Sequence, residues 1–122
     1  MTFVVDSSGW IEFLTDGPRA EDYARYLKDP SKIKTPTVIL YEVYKKIKRE
    51  RTEEESLLAV SLINRTTVIE LNESIALFAA DVSLKHALPM ADAIVYATAM
   101  EEACKVVTSD AHFKGLDNVV FL

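Results

Sequence analysis

Short apolar runs alternate along this chain with longer segments in which apolar residues return every third or fourth position, as strands interleaved with amphipathic helices do. Thr2 to Val5 reads as a buried strand ending at Asp6, and Ser8 to Leu14 as a short helix with Ser7 or Ser8 as its cap. Pro18 opens a second helix to Lys28, and Lys32 to Lys34 is a weaker strand. Thr35 as cap and Pro36 as first residue then start a helix in which Ile39, Val43 and Ile47 repeat every fourth residue. Thr52 and Glu55 form a capping-box pattern for a helix to about Asn64, and Thr67 to Leu71 is strand-like. Asn72 caps a helix carrying Ile75, Phe78, Ala79 and Val82 on one face, which Pro89 breaks. Met90 to Ala103 is a strongly apolar helix, Lys105 to Thr108 a strand, Ala111 to Gly115 a helical turn, and Val119 to Leu122 a final strand. This alternation predicts an α/β fold: a central parallel sheet of four or five strands flanked by helices on both faces.

Composition narrows the chemistry. With 122 residues, 49% of them apolar, residues 1–122 are expected to form one domain with a sizeable core. No apolar run approaches the roughly 20 residues of a membrane-spanning helix, and Met1 opens directly onto a strand-like segment without a cationic leader, which predicts a cytoplasmic protein without a membrane partner. The single cysteine, Cys104, excludes an intrachain disulfide and any Cys-x-x-Cys motif, and His86 and His112 lack zinc-hydrolase spacing. Three glycines are too few for a phosphate-cradling or dinucleotide-binding loop, and no Gly-x-Ser-x-Gly elbow occurs. Carboxylate is what remains: 19 Asp and Glu against 14 Lys and Arg, for a net charge of -5.

In an open parallel sheet the functional crevice lies beyond the carboxyl ends of the strands. Asp6 terminates Phe3-Val4-Val5 and Asp110 follows Val106-Val107-Thr108-Ser109, so both are expected at that edge. Glu42 and Asp92, in the first parts of helices that follow strands, can join them. Like charges brought together oppose folding unless a cation neutralises them, so a converging quartet predicts Mg²⁺ or Mn²⁺, the ions suited to all-oxygen ligation. Each acid also has a purely structural role open to it. Asp6 and Asp110 can cap a helix or turn, Glu42 can pair with Lys46 one turn on, and Asp92 can complement a helix N-terminus.

These pieces together resemble the PIN domain, specifically the small prokaryotic VapC-type toxins. The resemblance is carried by Val4-Val5-Asp6-Ser7-Ser8, by Thr35-Pro36 with Glu42 in the next helix, by Ala91-Asp92-Ala93-Ile94-Val95-Tyr96-Ala97-Thr98-Ala99, and by Val106-Val107-Thr108-Ser109-Asp110-Ala111-His112-Phe113. It implies a metal-dependent endoribonuclease of single-stranded or structured RNA, catalytic through Asp6, Glu42, Asp92 and Asp110. Thr108, Ser7 and Ser8 would be supporting hydroxyls, a cognate antitoxin the partner, and a homodimer or higher homo-oligomer the assembly. Some members carry a further acid after the last one, where this chain has Ala111 and His112. His112 can contact substrate or make a hydrogen bond in the turn.

Five of the 14 basic residues fall between Lys45 and Arg51. At about 100° per residue, Lys45, Lys46 and Arg49 continue the helix stripe of Glu42, as a phosphate track or as a solvated face. Tyr41 and Tyr44 can stack bases or pack in a core or interface. Two other classes compete. A receiver-type phosphoacceptor domain wants adjacent acids after its first strand, whereas Asp6 precedes Ser7-Ser8; a PIN-fold interaction module without activity would be expected to have lost an acid.

Overall fold

The computed structural model describes residues 1–122. Val4, Val5, Val106 and Val107 are all fully buried, as strands covered on both faces require. They form neighbouring parallel strands, β1 (Phe3–Val5) and β4 (Lys105–Thr108), with Val5 opposite Val107. β5 (Val119–Phe121) lies parallel on the other side of β4, giving the order β1-β4-β5. β2 (Lys34–Pro36) and β3 (Thr67–Ile69) make a separate parallel pair, joined to β1 through the single bridge Phe3–Ile33. The five strands are therefore divided three and two, and the expected single sheet of four or five strands is corrected accordingly. Pro36 has no N–H to extend the β2 ladder and passes directly into a helix, so β2 ends there.

Six helices enclose these sheets: α1 (Ser7–Leu14), α2 (Ala20–Leu27), α3 (Thr37–Glu50), α4 (Glu53–Ile63), α5 (Glu73–His86) and α6 (Met90–Glu101). None is long and apolar enough to cross a membrane. On α3 the predicted stripe Ile39, Val43 and Ile47 is buried. On α5 Ile75, Ala79 and Val82 are buried but Phe78 is 36% exposed, at the edge of the apolar face rather than within it. Helix α6 buries Ala93 and the run Val95 to Ala99, the signature of a helix enclosed on most sides.

Several caps differ from expectation. Helix α1 is capped by Asp6, whose Oδ1 accepts from Gly9 N at 3.0 Å, not by Ser7 or Ser8. Helix α3 starts at Thr37, because Thr35 belongs to β2 and its buried hydroxyl shares a 2.7 Å hydrogen bond with Thr66. Thr52 and Asn72 cap α4 and α5 as predicted. Helix α5 ends before Pro89, at a left-handed Ala87, and Pro89 stands instead at the start of α6.

Gly9 lets α1 approach α2 closely. A Cβ there would collide with the ring of the buried Tyr23 and lie 2.8 Å from Val5 Cγ1. Gly9→Ala is therefore expected to destabilise the chain by about 1–3 kcal/mol through overpacking, read as a lower urea midpoint. An unchanged midpoint would show that the α1–α2 contact yields without strain.

Candidate active site

Because β1 and β4 are parallel and paired in register, their carboxyl ends lie at one edge and deliver Asp6 and Asp110 together. Asp6 is 5% exposed. Besides the Gly9 amide on Oδ1, its Oδ2 accepts from Thr108 Oγ1 at 2.6 Å and from Ser8 Oγ at 2.9 Å. Thr108 Oγ1 in turn accepts from the Asp110 amide at 2.9 Å. Asp110 Oδ1 accepts from the His112 amide at 2.9 Å and caps a short 3-10 turn over Ala111–Phe113. The loop is tethered from below, where the hydroxyls of buried Tyr23 and Ser109 lie 2.8 Å apart.

Asp92 enters from the first turn of α6, and its Oδ2 lies 2.8 Å from His112 Nδ1. Asp110 Oδ1 is 3.4 Å from the same nitrogen. One potential ligand atom from each of Asp92, Asp110 and His112 falls within 4.8 Å of the others. Glu42 completes the group from the second turn of α3 and is half-buried. It makes no ion pair with Lys46, so the pairing that helix spacing allowed does not form.

The acids sense one another. Burial pushes the Asp6 carboxyl up, hydrogen bonds from Thr108, Gly9 and Ser8 oppose this, and the Asp110 charge adds to the rise. Burial likewise raises Glu42 against the pull of the nearby Ser7 hydroxyl, with the charges of Asp92, Asp6 and Asp110 reinforcing it. Asp92 is raised by burial and by Asp110, against the hydrogen bond and charge of His112. No Lys or Arg pairs with any of the four.

Such a donor set, buried and half-buried oxygens crowded together without a Lys or Arg partner, fits a hard divalent cation. His112 Nδ1 stands beside them, hydrogen-bonded to Asp92. The sequence weighed His112 for a turn hydrogen bond or a substrate contact. Its backbone makes the turn bond, while its side chain reaches Asp92, a partner 20 residues away that no local spacing announces.

Beside Glu42 a cavity of about 270 Å³ opens, lined by Ser7 and Tyr41 together with Lys45, Lys46 and Arg49. The remaining basic residues of that helix end turn elsewhere, Lys48 to Glu53 and Arg51 to Glu55. Arg49 only grazes Glu50 at 4.0 Å.

Parallel strands delivering clustered acids to one edge define an α/β protein with an acidic crevice suited to a divalent ion. A family model for the PIN domain matches residues 3–119, and the chain belongs to that family. No curated protein sequence matches it. Among solved structures, a chain of a toxin–antitoxin complex from Klebsiella pneumoniae superposes with a TM-score of 0.82 at 21% identity, over 98% of this chain and 96% of its own. VapC20 of Mycobacterium tuberculosis, a sarcin-ricin loop cleaving toxin, gives 0.80 at 16% identity over 97% of each chain. DNA-bound VapBC from Salmonella typhimurium gives 0.79 at 16% identity over 100% of this chain and 97% of its own. At these identities the likeness is one of fold.

The raised carboxyl of Asp92 has a thermodynamic consequence. At a pH above the ordinary value of 3.8 and below the raised folded value, the folded chain retains at Asp92 a proton that the unfolded chain releases. The resulting stabilisation is complete below the ordinary value and is lost as pH rises through the folded value. Measured by urea melts in chelator between about pH 4 and pH 7, the stability of Asp92→Asn relative to wild type should therefore rise with pH. A flat difference would mean that Asp92 titrates as an ordinary surface carboxylate.

Proposed function

We propose that the chain is a metal-dependent endoribonuclease, cleaving single-stranded or structured RNA by water activated at Asp6, Glu42, Asp92 and Asp110. The observation that carries this reading is the convergence of four carboxylates, unpaired by Lys or Arg, in a chain of the PIN family. The ion assigned to the site is Mg²⁺ or Mn²⁺. When bound, such an ion supplies Lewis acidity, lowering the pKa of a water and offsetting charge on the scissile phosphate.

Asp6 and Asp92 are the proposed principal ligands. Thr108 and Ser8 fix the Asp6 rotamer through its Oδ2, leaving the carboxylate aligned without further ordering. Glu42 and Asp110 complete the shell and orient the attacking water, with Ser7 beside Glu42. Lys45, Lys46 and Arg49 line the groove next to Glu42 and are assigned to RNA phosphates.

The wider setting follows the relatives. Residues 1–122 act as one nuclease domain in the cytoplasm, as a homodimer or higher homo-oligomer, and as the toxin of a toxin–antitoxin pair restrained by a cognate antitoxin. The fold shared with the Klebsiella and Salmonella complexes supports this.

Purified protein is expected to cleave RNA with Mg²⁺ or Mn²⁺ and to be inert in chelator, and Asp92→Asn to abolish cleavage while remaining folded. Either ion should stabilise the wild type by about 2.7 kcal/mol at a hundredfold excess over Kd, and the Asn variant much less. Equal thermal shifts in both would remove Asp92 from the metal site, and equal cleavage would indicate a contaminating nuclease.

The basic groove is tested separately. Each phosphate contact on a single strand contributes about -0.7 to the slope of log affinity against log salt. Lys46→Ala with Arg49→Ala should therefore weaken RNA binding and flatten that slope by about 1.4. An unchanged slope would return these side chains to a solvated helix face.

A further inference from the structure

We infer that Tyr41 walls a base-stacking subsite for one unpaired nucleotide beside Glu42, so that the site selects single-stranded or looped RNA over duplex. This rests on the ribonuclease reading and adds to it the part of the substrate read beside Glu42. Tyr41 is 61% exposed and lies off the core face of α3, which is formed by Ile39, Val43 and Ile47. A ring left in solvent on an otherwise polar helix face has no packing role within this chain.

Its surroundings suit a nucleotide. Tyr41 lines the same cavity as Glu42, Lys45, Lys46 and Arg49, so one concavity offers an aromatic wall, three cations and an edge on the acid cluster. At about 270 Å³ the cavity falls just under the roughly 300 Å³ at which small-ligand pockets begin, room for about one nucleoside. Lys45 Nζ bonds the Tyr41 hydroxyl at 3.2 Å and stands 5.4 Å from the ring centre, which fixes the ring from its hydroxyl end. The charge of Lys45 is thereby held beside the ring, in the same cavity as Lys46 and Arg49. Tyr44, by contrast, is half-buried, pairs with Lys48 and does not line this cavity.

The selectivity follows from what each element can recognise. Cations alone bind the phosphates of single and double strands alike. An aromatic face adds affinity only when a base can leave its own stack, which an unpaired nucleotide does readily and a paired one does not.

The test compares RNA binding by fluorescence anisotropy, in chelator to hold cleavage off and at fixed salt. Wild type, Tyr41→Ala and Tyr41→Phe are each titrated with a labelled single-stranded oligonucleotide and with the same sequence closed into a blunt duplex. Tyr41→Ala should weaken single-strand binding at least about fivefold, the low end for loss of one base–aromatic stack. Duplex binding should change less than about twofold, and Tyr41→Phe, which keeps the stacking face and loses only the Lys45 contact, should weaken single-strand binding less than Tyr41→Ala does. With metal restored, a single abasic nucleotide moved along the substrate should depress cleavage by the wild type at one fixed offset from the cut, and that offset should vanish in Tyr41→Ala.

Equal loss on single strand and duplex would overturn the proposal in favour of a phosphate groove. A Phe variant as weak as Ala would overturn it in favour of a hydroxyl contact. Unchanged binding accompanied by an altered sedimentation coefficient would overturn it by assigning Tyr41 to a protein interface. If the folded wild type binds and cleaves no RNA, the ribonuclease reading falls and this one with it; if the wild type cleaves and Tyr41→Ala is indistinguishable from it, only the subsite falls.

Discussion

Thr108 holds the crevice together. Its hydroxyl donates to Asp6 at the end of β1 and accepts from the amide of Asp110 just beyond β4, so one oxygen joins the two strands and both acids they deliver. The bond exists because the parallel register sets Val5 against Val107, which leaves the next residue of each strand at the same height. Asp6 then caps α1 with its other oxygen, which fixes where that helix starts and where Ser7 and Ser8 stand. Loss of the Thr108 hydroxyl would leave a buried carboxylate short of a donor, a costlier defect than the loss of one average hydrogen bond.

The fold also segregates charge. A net charge of -5 suggests an unsuitable surface for a polyanion, yet Lys45, Lys46 and Arg49 gather in one concavity while the four acids crowd beside it. Burial and neighbouring charge raise the carboxyls of Asp6, Glu42 and Asp92, while the neighbouring cations form no ion pair with any of them. Adjacent zones of opposite sign orient an approaching charged strand before any contact forms.

Elements governed by burial period were legible in the sequence. The four-residue repeat of α3, the apolar run of α6 and the Val pairs of β1 and β4 each point to a buried face that the structure contains. Cap positions were less legible, because Asp6, Ser7 and Ser8 are all good caps and tertiary bonding decides among them. Asp6 wins the α1 cap because the end of β1 already aims it at the Gly9 amide. Thr35 looks like a cap but is drawn into β2 by a buried partner, Thr66, 31 residues away. Strand-end and helix-start placement indicated that Asp6, Glu42, Asp92 and Asp110 would approach one another; in the structure the charges of Asp92, Asp6 and Asp110 all act on Glu42, and that of Asp110 acts on Asp6 and Asp92. The contact of His112 with Asp92 and the tether from Tyr23 to Ser109 were not legible, since each joins segments whose proximity only the folded topology creates.

The division of the strands has a mechanical meaning. Between the β1-β4-β5 sheet and the β2–β3 pair the ladder narrows to the bridge Phe3–Ile33, a seam with far fewer backbone bonds than either side. Sub-global opening follows lines of this kind before the ladders themselves break. Asp6 and Asp110 belong to one side of that seam, together with the α1 wall of the groove formed by Ser7, Ser8 and Ile11, whereas α3, which continues directly from β2 and carries Glu42, Lys45, Lys46 and Arg49, belongs to the other. Hinge-like displacement along the seam would carry Glu42 and the three cations of α3 away from Asp6, Asp110 and the α1 wall, altering the width of the groove while every strand pair stays intact.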